Sequence, residues 1–264
     1  MQPLLRADQI TYAYPGASHH VLRGCTLSLK KGDLLCVLGP NGSGKSTLLN
    51  CLCALLMPEQ GEVLFMDKNI HKSSLKSIAQ HIGYVAQNPS SAFGYTVMDY
   101  VLMGRACKIE LFDRPDKADR KAAKEALEAV GIDRLANCLL SEISGGERQL
   151  VSIARVIAQN PEIIMLDEPT AHLDCGNQIK MLKLIAQLNH HGFTILVMTH
   201  NPDHCVMLNS QVGILNKTGT LRTGSCGAML SDDTLSALLG TKIHMVYADI
   251  VKRNTFVPAG LDSV

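Results

Sequence analysis

Nine consecutive residues, Gly39-Pro40-Asn41-Gly42-Ser43-Gly44-Lys45-Ser46-Thr47, restrict this chain more than any other stretch. They satisfy the pattern G-x-x-x-x-G-K-[ST] at every fixed position. The apolar run Leu34-Leu35-Cys36-Val37-Leu38 leads into them, and a second one, Leu48 to Met57, leads out. This order reads as a strand, a glycine loop and a helix, the setting in which the pattern holds phosphate. Glycines let successive backbone N–H groups turn toward phosphate oxygens, and the following helix offers its positive end to the same anion. Lys45 supplies a mobile charge for the outer phosphates, and Ser46 a hydroxyl for a bridging magnesium ion. A bare strand-to-helix turn explains the glycines but not the lysine and two hydroxyls behind them.

At 264 residues the chain has room for one large domain with a substantial core. A formal charge of +1 with 19% charged residues gives no overall field for nucleic acid, so any anion site is local. The longest apolar run stops at Pro58, short of the ~20 residues that a membrane span requires. The first eight residues hold Asp8 and no long apolar core, which speaks against a secretory signal. Nine cysteines, an odd number without a C-x-x-C, suit reduced and mostly buried thiols. His200 and His204 stand four apart, but Pro202 between them argues against a helical metal pair.

Along the chain, residues 4–30 read as an antiparallel β start, with strand residues at Ile10 to Tyr14 and Thr26 to Leu29. Tyr14 is placed either to face a flat base or to sit as an ordinary edge tyrosine. Gly61 to Phe65 and Ile82 to Ala86 read as strands, the second ending on Gln87, whose amide suits a bridge between metal and water. From 88 to 140 the character changes. Pro89, Ser90 and Ser91 read as a loop, Val97 to Met103 as a helix, and Asp116 to Val130 as a helix stopped by Gly131. This is a helical insertion on a sheet domain.

The insertion returns through Ser144-Gly145-Gly146-Glu147. Ser144 and Glu147 form a capping box. Capping does not require the two glycines, which weaken a helix by ~1 kcal/mol each while leaving N–H groups bare. A helix start of that kind suits an anion. Ile163-Ile164-Met165-Leu166 then delivers Asp167 and Glu168 to the C-terminal end of a buried strand, where open α/β sheets bind ligands. Asp167 suits the magnesium shell, and Glu168 suits orienting or deprotonating an attacking water. Phe193 to Met198 is another strand, ending on His200, which taken alone reads as structural and, beside Asp167 and Glu168, as a candidate contact to a γ-phosphate. The tail reads as closing strands at 212–215 and 221–224, a short helix near Leu235 to Leu239, and a β-like stretch at Ile243 to Val246.

Taken together, these motifs resemble the nucleotide-binding subunit of ATP-binding cassette (ABC) transporters over nearly the whole chain. Gly39 to Thr47 resembles the Walker A motif, Gln87 the Q-loop, Ile143 to Gln149 the signature motif, and Ile163 to Glu168 Walker B. Ala171-His172-Leu173-Asp174 resembles the D-loop, His200 the switch histidine, and Tyr14 the adenine-stacking residue. Ile143 in place of leucine and His172 in place of a small residue depart from the pattern. The resemblance implies an α/β fold: a P-loop NTPase core with a mostly parallel sheet, an N-terminal antiparallel β subdomain and a helical insertion. It implies one domain over 1–264, with 1–87 and 160–264 as core and 88–159 as helical subdomain. It also implies ATP and Mg2+ as ligands and a head-to-tail homodimer, in which Ser144, Gly145 and Gly146 of one copy cap the phosphate held by Lys45 of the other.

The segment from Phe93 to Arg105 is similar to that of importers of metal chelates: iron siderophores, haem or cobalamin, with molybdate relatives. That branch implies multi-span permease partners, a substrate-binding protein upstream, no nucleic acid, and a peripheral place on the cytoplasmic face of the cell membrane. The competing expectation is a soluble cassette ATPase, of which the iron–sulfur cluster assembly type fits best. The chain lacks the coiled-coil insertion of repair types and the second cassette of translation types.

Overall fold

The computed structural model describes residues 2–87, 94–110 and 113–260. The Pro89 to Ser91 loop and Phe93 lie outside the described residues. In chain order the first elements are β1 (Leu5–Tyr12), β2 (Leu22–Leu29), β3 (Leu34–Leu38), α1 (Lys45–Leu52), β4 (Gln60–Phe65), β5 (Lys68–Asn69), α2 (Leu75–His81) and β6 (Ile82–Val85). Then come α3 (Val97–Leu102), α4 (Lys117–Ala129), α5 (Gly145–Gln159), β7 (Ile163–Asp167), α6 (Cys175–His190), β8 (Thr194–Thr199) and α7 (Pro202–Met207). The last are β9 (Gln211–Leu215), β10 (Leu221–Ser225), α8 (Cys226–Met229), α9 (Asp232–Leu239), β11 (Ile243–Ala248) and β12 (Arg253–Pro258).

The chain packs as two compact units, 1–72 with 194–264, and 73–193. In the first, β3 lies between β8 and β9, parallel to both, and β10 closes antiparallel on β9. Every residue of β3 is buried, as expected of a strand covered on both faces, and its Leu-Leu-Cys-Val-Leu run contains no alternation. A separate antiparallel sheet runs β2-β1-β4-β5. Here β1 does alternate, burying Leu5, Ala7, Ile10 and Tyr12. The ribbon β11-β12 stands apart as a two-stranded sheet, with β12 packed on α7.

In the second unit β6 and β7 pair in parallel, Val85 opposite Leu166, so both deliver their following residues to the same end. The helices share a core in which Val97, Val101, Ala123, Leu127, Val151 and Ala154 are essentially inaccessible. Burying a leucine such as Leu127 contributes about 2 kcal/mol. Arg105 clamps this bundle, donating to the Asp119 carboxylate (2.9 Å) and the Ala158 carbonyl (2.9 Å). Its guanidinium, with the Asp116 backbone N–H, holds the Asp119 carboxyl below the usual carboxylate range. At the N-terminus of α4, Asp116 and Asp119 form a reciprocal capping box.

Some expectations shift. The helix after the phosphate loop ends at Leu52, not near Met57; Cys53 caps it, and Leu55 and Met57 are exposed. Tyr14 falls just beyond β1. Pro202, read as a breaker, is the first residue of α7: its missing N–H costs nothing there, and the Asn201 side chain accepts the Asp203 N–H.

Candidate nucleotide site

The loop from Gly39 to Gly44 depends on glycine for steric reasons. A Cβ on Gly39 would lie 2.5 Å from the Leu215 carbonyl oxygen and 2.6 Å from Ser43 Oγ. Gly44 caps α1 at φ 96°, and a Cβ there would meet Val21 Cγ1 at 2.8 Å. Only glycine satisfies both positions. Lys45 is buried, and its ammonium donates to the carbonyls of Gly39 (2.8 Å) and Pro40 (3.1 Å), so the loop curls around its own lysine. Ser43 Oγ is fully buried in the same loop and without a hydrogen-bond partner among the described residues, as a hydroxyl awaiting an anion would be. Asn41, Gly42 and Ser46 are exposed at the loop surface, while Thr47 is buried and hydrogen-bonds the Tyr14 hydroxyl (3.0 Å). That bond, and an edge contact with Tyr12 (5.1 Å between centroids), fix the half-exposed Tyr14 ring beside the loop.

The loop is joined to the end of β8. The Gly39 N–H donates to the Thr199 carbonyl (3.2 Å), and the next residue, His200, is exposed. His204 on α7 is buried, with Nδ1 3.0 Å from Thr199 Oγ1. Reading the sequence for metal spacing missed this contact, and no local pattern signalled it.

The second unit holds the acids. Asp167 ends β7 almost inaccessible, and Glu168 follows at φ 46°, a left-handed backbone uncommon for a residue other than glycine, asparagine or aspartate. The Glu168 carbonyl accepts the Ala171 N–H (3.0 Å), and its carboxylate accepts from Gln87 Nε2 (3.3 Å). Two residues singled out by sequence thus meet directly. Ser144 caps α5: its hydroxyl accepts the Glu147 N–H (3.3 Å), while the Glu147 carboxylate accepts the Ser144 N–H (3.0 Å) and hydroxyl (2.8 Å). Those bonds, with Arg134, hold the Glu147 carboxyl below its ordinary range. Gly145 and Gly146 open the helix with ordinary backbone angles. A Cβ on Gly145 would meet nothing closer than Arg148 Nη2 at 3.8 Å, so this chain's own packing does not demand glycine there. His172 stands at φ 62° in the turn before α6.

Ser46 in the first unit offers a hydroxyl, and Asp167 and Gln87 in the second a carboxylate and an amide oxygen, each an oxygen atom of the hard kind that suits magnesium. Among the described residues no cluster of three His, Cys, Asp or Glu side chains offers a rival metal site. All nine cysteines are free thiols.

A glycine loop closed on its lysine, at the C-terminal end of a parallel strand, followed by a helix, defines a nucleotide-binding protein of the α/β P-loop class. The chain belongs to the ABC transporter family, whose model matches residues 22–171. It is 32% identical over 257 residues to the ferric enterobactin transport ATP-binding protein of Escherichia coli K12, covering 97% of this chain and 94% of that protein. It is 36% identical over 239 residues to the molybdate import ATP-binding protein of Haemophilus influenzae, covering 90% and 88%. Among solved structures it resembles, with a TM-score of 0.87, 32% identity and full coverage of both chains, the inward-facing conformation of an ABC transporter assigned to the metal-chelate type. Dimeric cassettes are among the other structures of this fold that it resembles.

Proposed function

We propose that this chain is the ATP-hydrolysing subunit of an ABC importer that drives uptake of a metal chelate, an iron siderophore, haem or cobalamin. It works as a homodimer on multi-span permease partners, with a substrate-binding protein upstream, at the cytoplasmic face of the membrane. The observation that carries the hydrolytic reading is Glu168, held at φ 46° with its carboxylate against the Gln87 amide. In this reading Lys45 and the loop amides hold the phosphates, Tyr14 lies along the adenine, and Glu168 orients and deprotonates the attacking water. Ser46, Asp167 and Gln87 would hold magnesium, which neutralises charge on the phosphate oxygens when bound. His200 contacts the γ-phosphate. Residues 88–159 serve as the helical subdomain of a single cassette.

Gly145 of the signature supports the dimer. Gly145 is exposed, and its own chain leaves space for a side chain, so the demand for glycine comes from outside the subunit. Ser144, Gly145 and Gly146 of one copy would close over the phosphate held by the other.

Glu168→Gln is expected to keep ATP affinity, slow turnover by ~10²-fold or more, and accumulate an ATP-bound dimer on gel filtration. Near-normal turnover in that variant would show that Glu168 is not the base. The likeness to a molybdate importer favours a second cargo, the molybdate oxyanion. Uptake assays with iron chelates and with molybdate, in cells lacking this subunit, separate the two; co-purification with a soluble assembly partner and no membrane protein would overturn both.

A further inference from the structure

His200 sits between two residues that are both pinned, and one buried side chain does the pinning. Thr199, almost inaccessible at the end of β8, uses its carbonyl to accept the Gly39 N–H (3.2 Å). Its Oγ1 accepts the Asn201 N–H (3.1 Å) on the far side of His200 and pairs with His204 Nδ1 (3.0 Å). The Thr199 hydroxyl therefore gathers both backbone neighbours of His200, and His204 is its side-chain partner. With the Asn201 N–H filling one lone pair, the hydroxyl proton is available for Nδ1 of a neutral His204. Burial, followed by the nearby His200, favours that neutral form, and Asp203 opposes it.

The helix that carries His204 is itself anchored. The Asn201 side chain caps α7, Pro202 occupies its first position, and Arg253 of β12 donates to Asp203 Oδ1 (3.1 Å). A helix of six residues has little stability of its own, so these ties decide where His204 stands.

We propose that His204 is a positioning residue for hydrolysis: through the Thr199 hydroxyl it fixes the backbone on both sides of His200, and so sets where the His200 ring meets the γ-phosphate. It touches no substrate. The proposal rests on the reading of His200 as the γ-phosphate contact.

Steady-state ATPase assays on the full-length protein test it, with kcat and KM separated. His204→Ala is expected to lower kcat by roughly tenfold, since small misplacements of reacting groups carry penalties of that order, while the KM for ATP stays within about twofold. His204→Asn, which keeps a polar atom near the Nδ1 position, should recover most of kcat. Thr199→Val, which deletes the hydroxyl at nearly constant volume, should reproduce the loss, and the double variant should lose no more than either single one. If His204→Ala fails to fold, Thr199→Val carries the same test. Wild-type kcat in both variants, or a rise in KM matching the fall in kcat, overturns the proposal. His200→Ala separates the two layers: if it abolishes turnover while His204→Ala and Thr199→Val do not, only the positioning role falls, and if it leaves turnover intact, the underlying role of His200 falls too.

Discussion

Gly145 separates two demands that usually coincide at a glycine. At Gly44 the chain itself excludes a side chain, whereas at Gly145 the chain accepts one in a helical conformation. Gly145→Ala should therefore stabilise the isolated subunit by about 0.5–1 kcal/mol, while lowering ATP turnover by crowding the closed dimer. Urea denaturation and an ATPase assay on the same preparation read the two effects, and a less stable subunit would show that the glycine serves its own chain after all. His204 gives the clearest acid response. Burial pushes its pKa from 6.5 down to about 4, so the unfolded chain takes up a proton that the folded chain refuses between those values. Stability contributed by the neutral ring is full above pH 6.5 and declines as pH falls toward 4. Urea midpoints at pH 7 and pH 5 should differ less in His204→Asn than in the wild type; equal differences would mean that other groups govern this range. The phosphate loop, the paired acids and His200 stood out in the sequence because each is a local word at a fixed place, whereas His204 drew notice only as half of a metal spacing. The Gln87 to Glu168 contact and the His204 to Thr199 bond were not legible, because they depend on strand pairing and helix direction that no local pattern encodes.

The elements that position these residues are held by their ends. α4 and α5 each begin with a reciprocal capping box, and α6 with Asp174 accepting the Asn177 N–H. Asp119 does two things at once, closing the α4 box and receiving Arg105. Asp119→Asn should cost about 1–3 kcal/mol, since the partly buried Arg105 guanidinium then loses its charge partner. Because the Asp119 pKa is depressed in the folded state, its contribution is full above the unfolded value near 3.8 and is lost as pH falls below it. The substitution should therefore lower the thermal midpoint at pH 7 and flatten its decline in acid; an unchanged midpoint would remove the clamp from the stability of the bundle. Boundaries of elements were harder to read than their presence. An apolar run broken only by Asn50 extended the first helix to Met57, yet the helix ends where Cys53 caps it, and Leu55 and Met57 turn out to solvent. α2 escaped notice because Leu75–His81 buries only Ile78, so no apolar stripe announces it. Pro202 spoke against a helix between His200 and His204, but it marks a helix start.

At the scale of the molecule, one chain carries one phosphate loop and one signature helix, and a head-to-tail pair needs both from different copies. Lys45→Ala and Gly145→Ala subunits should each fail to occlude nucleotide alone. Mixed together they should occlude one nucleotide per mixed dimer, about one for every two dimers at random pairing of equal amounts, because a single interface then joins an intact loop to an intact signature. Retention of labelled ATP on a desalting column measures this, and no gain on mixing would argue that each subunit completes its own site. The parallel arrangement around β3 followed from apolar runs that end in polar, chemically active residues, a pattern visible in sequence. The placement of the last ribbon did not, since Arg253 and Asp203 lie fifty residues apart and neither belongs to a motif.

That ribbon also links the tail of the chain to its most sensitive strand. β11 is tied to the start of α9, where the Asp232 carboxylate accepts the Met245 N–H (2.8 Å), and β12 is tied to α7 by Arg253. Tension on residues beyond Pro258 is thus shared between two helix starts, one of them two residues from His200. A fluorescent reporter attached there would sense, and would also disturb, the strand end that faces the phosphate loop, so a handle for purification or imaging is better carried elsewhere on the surface.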